Sequence, residues 1–145
     1  MNPELLLDIF VSIILIAVSY TDLRWRRIPN VIIVPSILLA FVVSIFTNQW
    51  QLAMLGGVFG SLVFLFPVFI YGPERAGVGD VKLATFIGLV LSFPNVVYAI
   101  MLAFLTATLI VLPGLLLQRI DRKTIIPFGP FLAFGAILVL LARVF

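Results

Sequence analysis

The sequence predicts an all-α polytopic membrane protein, with about six transmembrane helices and both termini outside. Three observations predict it. Hydrophobic residues make up 63% of the 145 and charged residues 10%, against roughly 45–50% and about 25% in an ordinary soluble domain. Folded in water, a chain of this size leaves about 30% of its unfolded surface wet, so this composition fits a bilayer and not an aqueous surface. Long charge-free runs are separated by three short charged breaks. Eight of the nine basic residues fall in those breaks, on one side of the membrane if the chain crosses between each. Residues 1–145 therefore form one transmembrane domain with no room for a soluble one. Composition also excludes disorder, a coiled coil and nucleic-acid binding.

The elements follow in order. Glu4 and Asp8 precede any Lys or Arg, and the first basic residue is Arg24. This lacks the basic start of a cleaved signal peptide, so Leu5–Ser19 reads as a retained span. Asp22, Arg24, Arg26 and Arg27 make the first break, closed by Ile28-Pro29-Asn30. Val31–Thr47 is the second span, and Asn48-Gln49-Trp50-Gln51 a polar turn. Leu52–Tyr71 is the third span, in which Gly56 and Gly60 have the small-xxx-small spacing that lets a neighbouring helix approach closely. Gly72–Lys82 is the second break. Leu83–Leu117 runs 35 residues without a charge, interrupted by Ser92-Phe93-Pro94-Asn95. Read as two spans, it keeps the three breaks on one side and leaves only Arg143 opposite, as the positive-inside rule favours. Gln118–Thr124 is the third break and Ile125–Ala142 the last span. Tyr20, Trp25 and Tyr71 fall near one interface, Trp50 and Tyr98 near the other, as aromatic belts do.

The chain contains no Cys and no His. A thiol nucleophile, a Ser-His triad and a His-based zinc site are therefore absent, and no cofactor or metal-ligand set is suggested. Asp22 and Asp80 are separated by two spans, so they return to the same face. A carboxylate at the margin of the hydrocarbon is costly and points to function. Asp80 sits in Gly77-Val78-Gly79-Asp80-Val81-Lys82, where glycines leave room for an approaching backbone. Two neighbouring carboxyls share a proton. One then acts as general base on water while the other polarises a carbonyl. Structural readings stand beside this one. Asp80 is also a suitable helix N-cap, and Asp22 a rim residue for Arg24 or Arg26. Lys82 either snorkels to headgroups or holds its charge beside Asp80. Glu74 and Asp121 read as solvated loop acids. Pro127, Gly129 and Pro130 read either as a plain helix start or as a segment packed beside the aspartates, with Gly129 leaving room for a substrate.

These residues resemble a family. Asp22–Asn30 is similar to the first aspartate motif of type IV prepilin peptidases. Gly77–Leu83 resembles their GxGD-x-K motif, and Ile126–Ala133 their C-terminal proline-glycine segment. The resemblance implies a membrane aspartic endopeptidase with Asp22 and Asp80 as the catalytic pair. Gly77, Gly79, Lys82, Pro127 and Gly129 would shape its site. Such enzymes remove the short basic leader of prepilin or pseudopilin precursors at the cytoplasmic face of the inner membrane. Longer members carry an N-terminal segment with paired cysteines and N-methylate the product. This chain is more similar to the short members serving Flp-type pili or archaeal preflagellins, and that resemblance carries no methyl transfer with it. Two other classes compete. A small transporter or ion-binding protein would need acids near mid-membrane. A non-catalytic assembly protein would share the fold.

Overall fold

The computed structural model describes residues 3–72, 77–117 and 126–144. The loop residues Glu74, Arg75, Arg119, Asp121, Arg122 and Lys123 lie outside them. The described chain is helical: α1 Pro3–Trp25, α2 Asn30–Phe46, α3 Trp50–Tyr71, α4 Val78–Leu91, α5 Asn95–Leu116 and α6 Gly129–Val144. The long apolar stretch from Leu83 does divide at Ser92–Pro94, into α4 and α5. Three helices are long and apolar enough to cross a bilayer: Glu4–Trp25, Trp50–Tyr71 and Asn95–Leu116. Asn30–Phe46 and Gly129–Arg143 are shorter apolar helices.

The helix directions alternate. Glu4, Thr47, Gln49, Ser92, Asn95 and Arg143 line one cavity; they belong to the start of α1, the end of α2, the start of α3, the end of α4, the start of α5 and the end of α6. Both ends of the described chain therefore share one end of the bundle. Asp22 and Asp80, at the end of α1 and the start of α4, belong to the opposite end.

The short helix α4 is the centre. Its 14 residues rise about 21 Å, less than the roughly 30 Å hydrocarbon thickness. It is sheathed instead of lipid-exposed: Leu83, Ala84, Phe86, Ile87, Gly88, Leu89 and Leu91 are all buried, and α4 packs against α2, α3, α5 and α6. Backbone at the ends of a short helix is tolerated at membrane depth where protein covers it. The tightest contact is with α3. A Cβ on Gly60 would lie 2.5 Å from the Ala84 carbonyl oxygen, and one on Gly56 would overlap the Gly88 carbonyl. The Gly56-xxx-Gly60 face is thus a packing face, as its spacing indicated.

Hydroxyls inside the helices bond their own backbone, since hydrocarbon offers no other partner. Ser19 Oγ donates to the Leu15 carbonyl, Thr85 to Val81 and Thr106 to Leu102. Tyr20, Trp25, Tyr71, Trp50 and Tyr98 all present exposed rings, as the belt reading requires.

The α3–α4 contact gives a direct test. Gly60→Val should lower stability by about 1–3 kcal/mol through overpacking, read as a lower melting temperature in detergent. Leu62→Ala, at a position 57% exposed on the same helix, should stay within about 0.5 kcal/mol of wild type. Equal melting of the two variants would show that α3 and α4 do not touch along this face.

Candidate active site

Asp22 lies in the last turn of α1, yet it is only 6% exposed. A buried carboxylate needs a compensating donor, and the main-chain N–H of Gly129 supplies one at 3.0 Å to Oδ2. Gly129 is the first residue of α6, where N–H groups lack helical partners and the helix dipole favours an anion. The rim-residue reading of Asp22 is corrected accordingly. Its partner is α6, while Arg24 donates from Nη1 to the Tyr20 hydroxyl at 2.8 Å and stacks 5.3 Å above the Trp25 ring.

Asp80 is the third residue of α4, half-buried. The N-cap position belongs to Gly77, and no side chain caps the helix. The N-cap reading of Asp80 is thus corrected too. Burial disfavours charge on Asp80, and the charge of Asp22 adds to that.

Three glycines make the arrangement possible. A Cβ on Gly129 would stand 2.5 Å from Asp22 Oδ2, and one on Gly77 would stand 3.0 Å from Asp80 Oδ2. Gly77 and Gly129 each leave space for a carboxyl. What Gly129 accommodates is therefore Asp22, where the sequence suggested room for a substrate. Gly79 faces elsewhere: its missing Cβ would come within 3.2 Å of Ile28, so α4 presses on the α1–α2 connection. Lys82 donates to the Asn30 side-chain oxygen at 2.7 Å, at the first residue of α2. Its hydrogen-bond partner among the described residues is thus Asn30 and not Asp80.

Pro127 and Phe128 precede α6, and Pro130 occupies its first turn, where proline removes no helical bond. Phe128 anchors this segment. Its ring centroid is 5.5 Å from Phe64 of α3, 5.2 Å from Phe104 of α5 and 5.9 Å from Phe131. Held there, the next residue points its N–H at Asp22. Sequence reasoning gave no role to Phe128, Ile28 or Asn30. The signal lay in the motifs themselves: an aromatic between Pro127 and Gly129, and an Ile-Pro-Asn closing the first break. No three or more His, Cys, Asp or Glu among the described residues gather where they could hold a metal.

Asp22, Asp80 and Gly129 come from positions 49 to 107 residues apart, and they converge at one end of the bundle. A profile of the type IV leader peptidase family matches residues 9–112. The chain belongs to the type IV leader peptidase family. Members with assigned names are similar over most of it. The prepilin leader peptidase/N-methyltransferase of Bacillus subtilis (strain 168) is 32% identical over 138 residues, covering 92% of this chain and 54% of that protein. That of Pseudomonas aeruginosa is 31% identical over 133 residues, 88% of this chain and 46% of that protein. That of Xanthomonas campestris pv. campestris is 32% identical over 132 residues, 86% of this chain and 46% of that protein. The chain thus spans about half the length of the curated relatives it matches. No solved structure matches it.

The contact between Gly79 and Ile28 is open to a double-mutant cycle. Gly79→Ala should destabilise the protein by about 1–3 kcal/mol. Combined with Ile28→Ala, the loss should be smaller than the sum of the two single losses, because two of the three contacting atoms, Ile28 Cγ1 and Cδ1, are gone. Additive effects on thermal unfolding would separate α4 from the α1–α2 connection.

Proposed function

We propose that this chain is a membrane aspartic endopeptidase. It removes the short basic leader from prepilin-like precursors, with the Flp type as its substrate class, at the cytoplasmic face of the inner membrane. One observation carries the reading: in a member of the leader peptidase family, Asp22 at the end of α1 and Asp80 at the start of α4 come to the same end of the bundle. Sidedness rests on charge. Arg24, Arg26, Arg27 and Lys82 belong to the aspartate end and Arg143 to the other, which favours the aspartate end as cytoplasmic. The ion-carrier reading finds no support, since this acid pair lies at an end of the bundle and not at its middle.

The environments divide the roles. The Gly129 N–H and the α6 N-terminus stabilise charge on Asp22. Among the described residues no hydrogen bond reaches the Asp80 carboxyl, and burial first, then the Asp22 charge, opposes its ionisation. Asp22 is then the general base and Asp80 carries the shared proton. Asp22 takes a proton from water as its oxygen adds to the scissile carbonyl carbon, and Asp80 donates its proton to the carbonyl oxygen. As the tetrahedral adduct collapses, the C–N bond breaks and the proton on Asp22 passes to the leaving nitrogen. The adduct returns a hydroxyl proton to Asp80, which restores the pair.

In a membrane assay with a Flp-type prepilin, wild type should release the leader, and Asp22→Asn or Asp80→Asn should each lose cleavage by about 10³-fold or more while remaining membrane-inserted. Substantial activity in either variant would remove that residue from the mechanism. No cleavage of any prepilin by wild type would favour a non-catalytic assembly protein. The division of roles has its own measurement. A hydrophobic carbodiimide, which attacks protonated carboxyls, should label Asp80 in preference to Asp22, as read by peptide mass spectrometry. Preferential labelling of Asp22 would reverse the two roles.

A further inference from the structure

A cavity of about 870 Å³ opens between α1, α2 and α4 on the side of the bundle away from the aspartates. The mechanism makes no use of it. It exists because α1 packs chiefly on α6 and only lightly on its sequence neighbour α2, so the two splay apart over α4. Its inner walls are apolar: Val11 and Ile14 of α1, Ala40 and Val43 of α2, Phe86 and Val90 of α4. It begins about 12 Å along α1 from Asp22 and about 9 Å along α4 from Asp80, and runs about 15 Å down α1 from Ile14 to Glu4. The helices that carry the two aspartates are thus the helices that wall the cleft.

We propose that this cleft seats the apolar helix of the substrate, directly downstream of the bond that Asp22 and Asp80 attack. The inference rests on the peptidase reading and adds to it the place where the substrate is held. Charge at the mouth argues for a polypeptide over a lipid. Glu4 and Asp8 line it, and two carboxylates repel an anionic phosphate headgroup. The cation there, Arg143, faces Asp8 and already donates to the Leu91 carbonyl. The acids at this mouth, with Gln49 and Asn95, accept from cationic or amide side chains of a polypeptide that leaves the bilayer here. The wall on α2 suits a close helix. Ser36, Ala40 and Ser44 recur every four residues along it, and both hydroxyls are spent on the α2 backbone, at Ile32 and Phe41. Ser36 and Ser44 are themselves covered, so Ala40 between them is the small, partly open position that a second backbone can approach.

The chain's lack of cysteine makes the test direct. A benzophenone maleimide is attached to Ala40→Cys, and as a control to Leu109→Cys on α5, a position 64% exposed and outside the cleft. Both are built on Asp80→Asn, which leaves substrate uncut, and irradiated in membranes holding a tagged Flp-type prepilin. The adduct with prepilin from position 40 should exceed that from position 109 at least tenfold. In an otherwise wild-type chain, Ala40→Trp should lower kcat/KM at least tenfold, chiefly through KM, with carbodiimide labelling of Asp80 unchanged. Adducts mainly with phospholipid, adducts mainly with a second copy of this chain, or equal yields at the two positions would overturn the proposal, as would normal cleavage by Ala40→Trp. A wild-type chain that cleaves no prepilin would instead strike the peptidase reading, while the adduct at position 40 still identifies the occupant.

Discussion

The hydrogen bond from the Gly129 main chain to the Asp22 carboxylate joins the beginning of the chain to its end across 107 residues. A carboxylate 6% exposed at the edge of hydrocarbon is unstable without a donor. That need dictates much around it. Residue 129 must lack a side chain, because a Cβ would collide with the carboxylate. The segment before α6 must be fixed, and Phe128 fixes it among aromatic rings from α3 and α5. The helix that follows then offers its positive end to the charge.

The other constraint is the depth of α4. A 14-residue helix cannot span the hydrocarbon on its own, so it is enclosed by its neighbours. The glycine contacts with α3 bring it close. Enclosure fixes the height of Asp80, which stands in the first turn of α4. Site geometry and central packing are therefore one problem: what positions α4 along the bundle also positions Asp80 against Asp22. The polar link from Lys82 to Asn30 and the steric contact of Gly79 with Ile28 hold the same end of α4 to the α1–α2 connection.

The proposed division of roles rests on electrostatic asymmetry between the carboxyls. Identical side chains become base and acid only if their surroundings differ. Here one accepts a main-chain N–H at a helix start and the other does not. The chain spans about half the length of the curated relatives it matches.

The sequence by itself determined the membrane class, six helices and their alternation, since composition and the spacing of charges are one-dimensional and each charge-free run has few ways to avoid water. It also pointed to Asp22 and Asp80, because in a chain without His or Cys these acids stand where hydrocarbon makes them costly. Even the Gly56–Gly60 packing face was legible, from spacing alone. The tertiary structure decided the rest. That Asp80 lies inside the first turn and not at the cap, that Asp22 answers to Gly129 and not to an arginine, and that Lys82 reaches Asn30 are facts about segments brought together from afar. The same holds for Gly129 housing a carboxylate. Periodicity reports which way a residue faces on its own helix; it carries no information about which distant helix arrives there, and in this bundle that arrival is set by close glycine packing and aromatic anchoring between elements far apart in the chain.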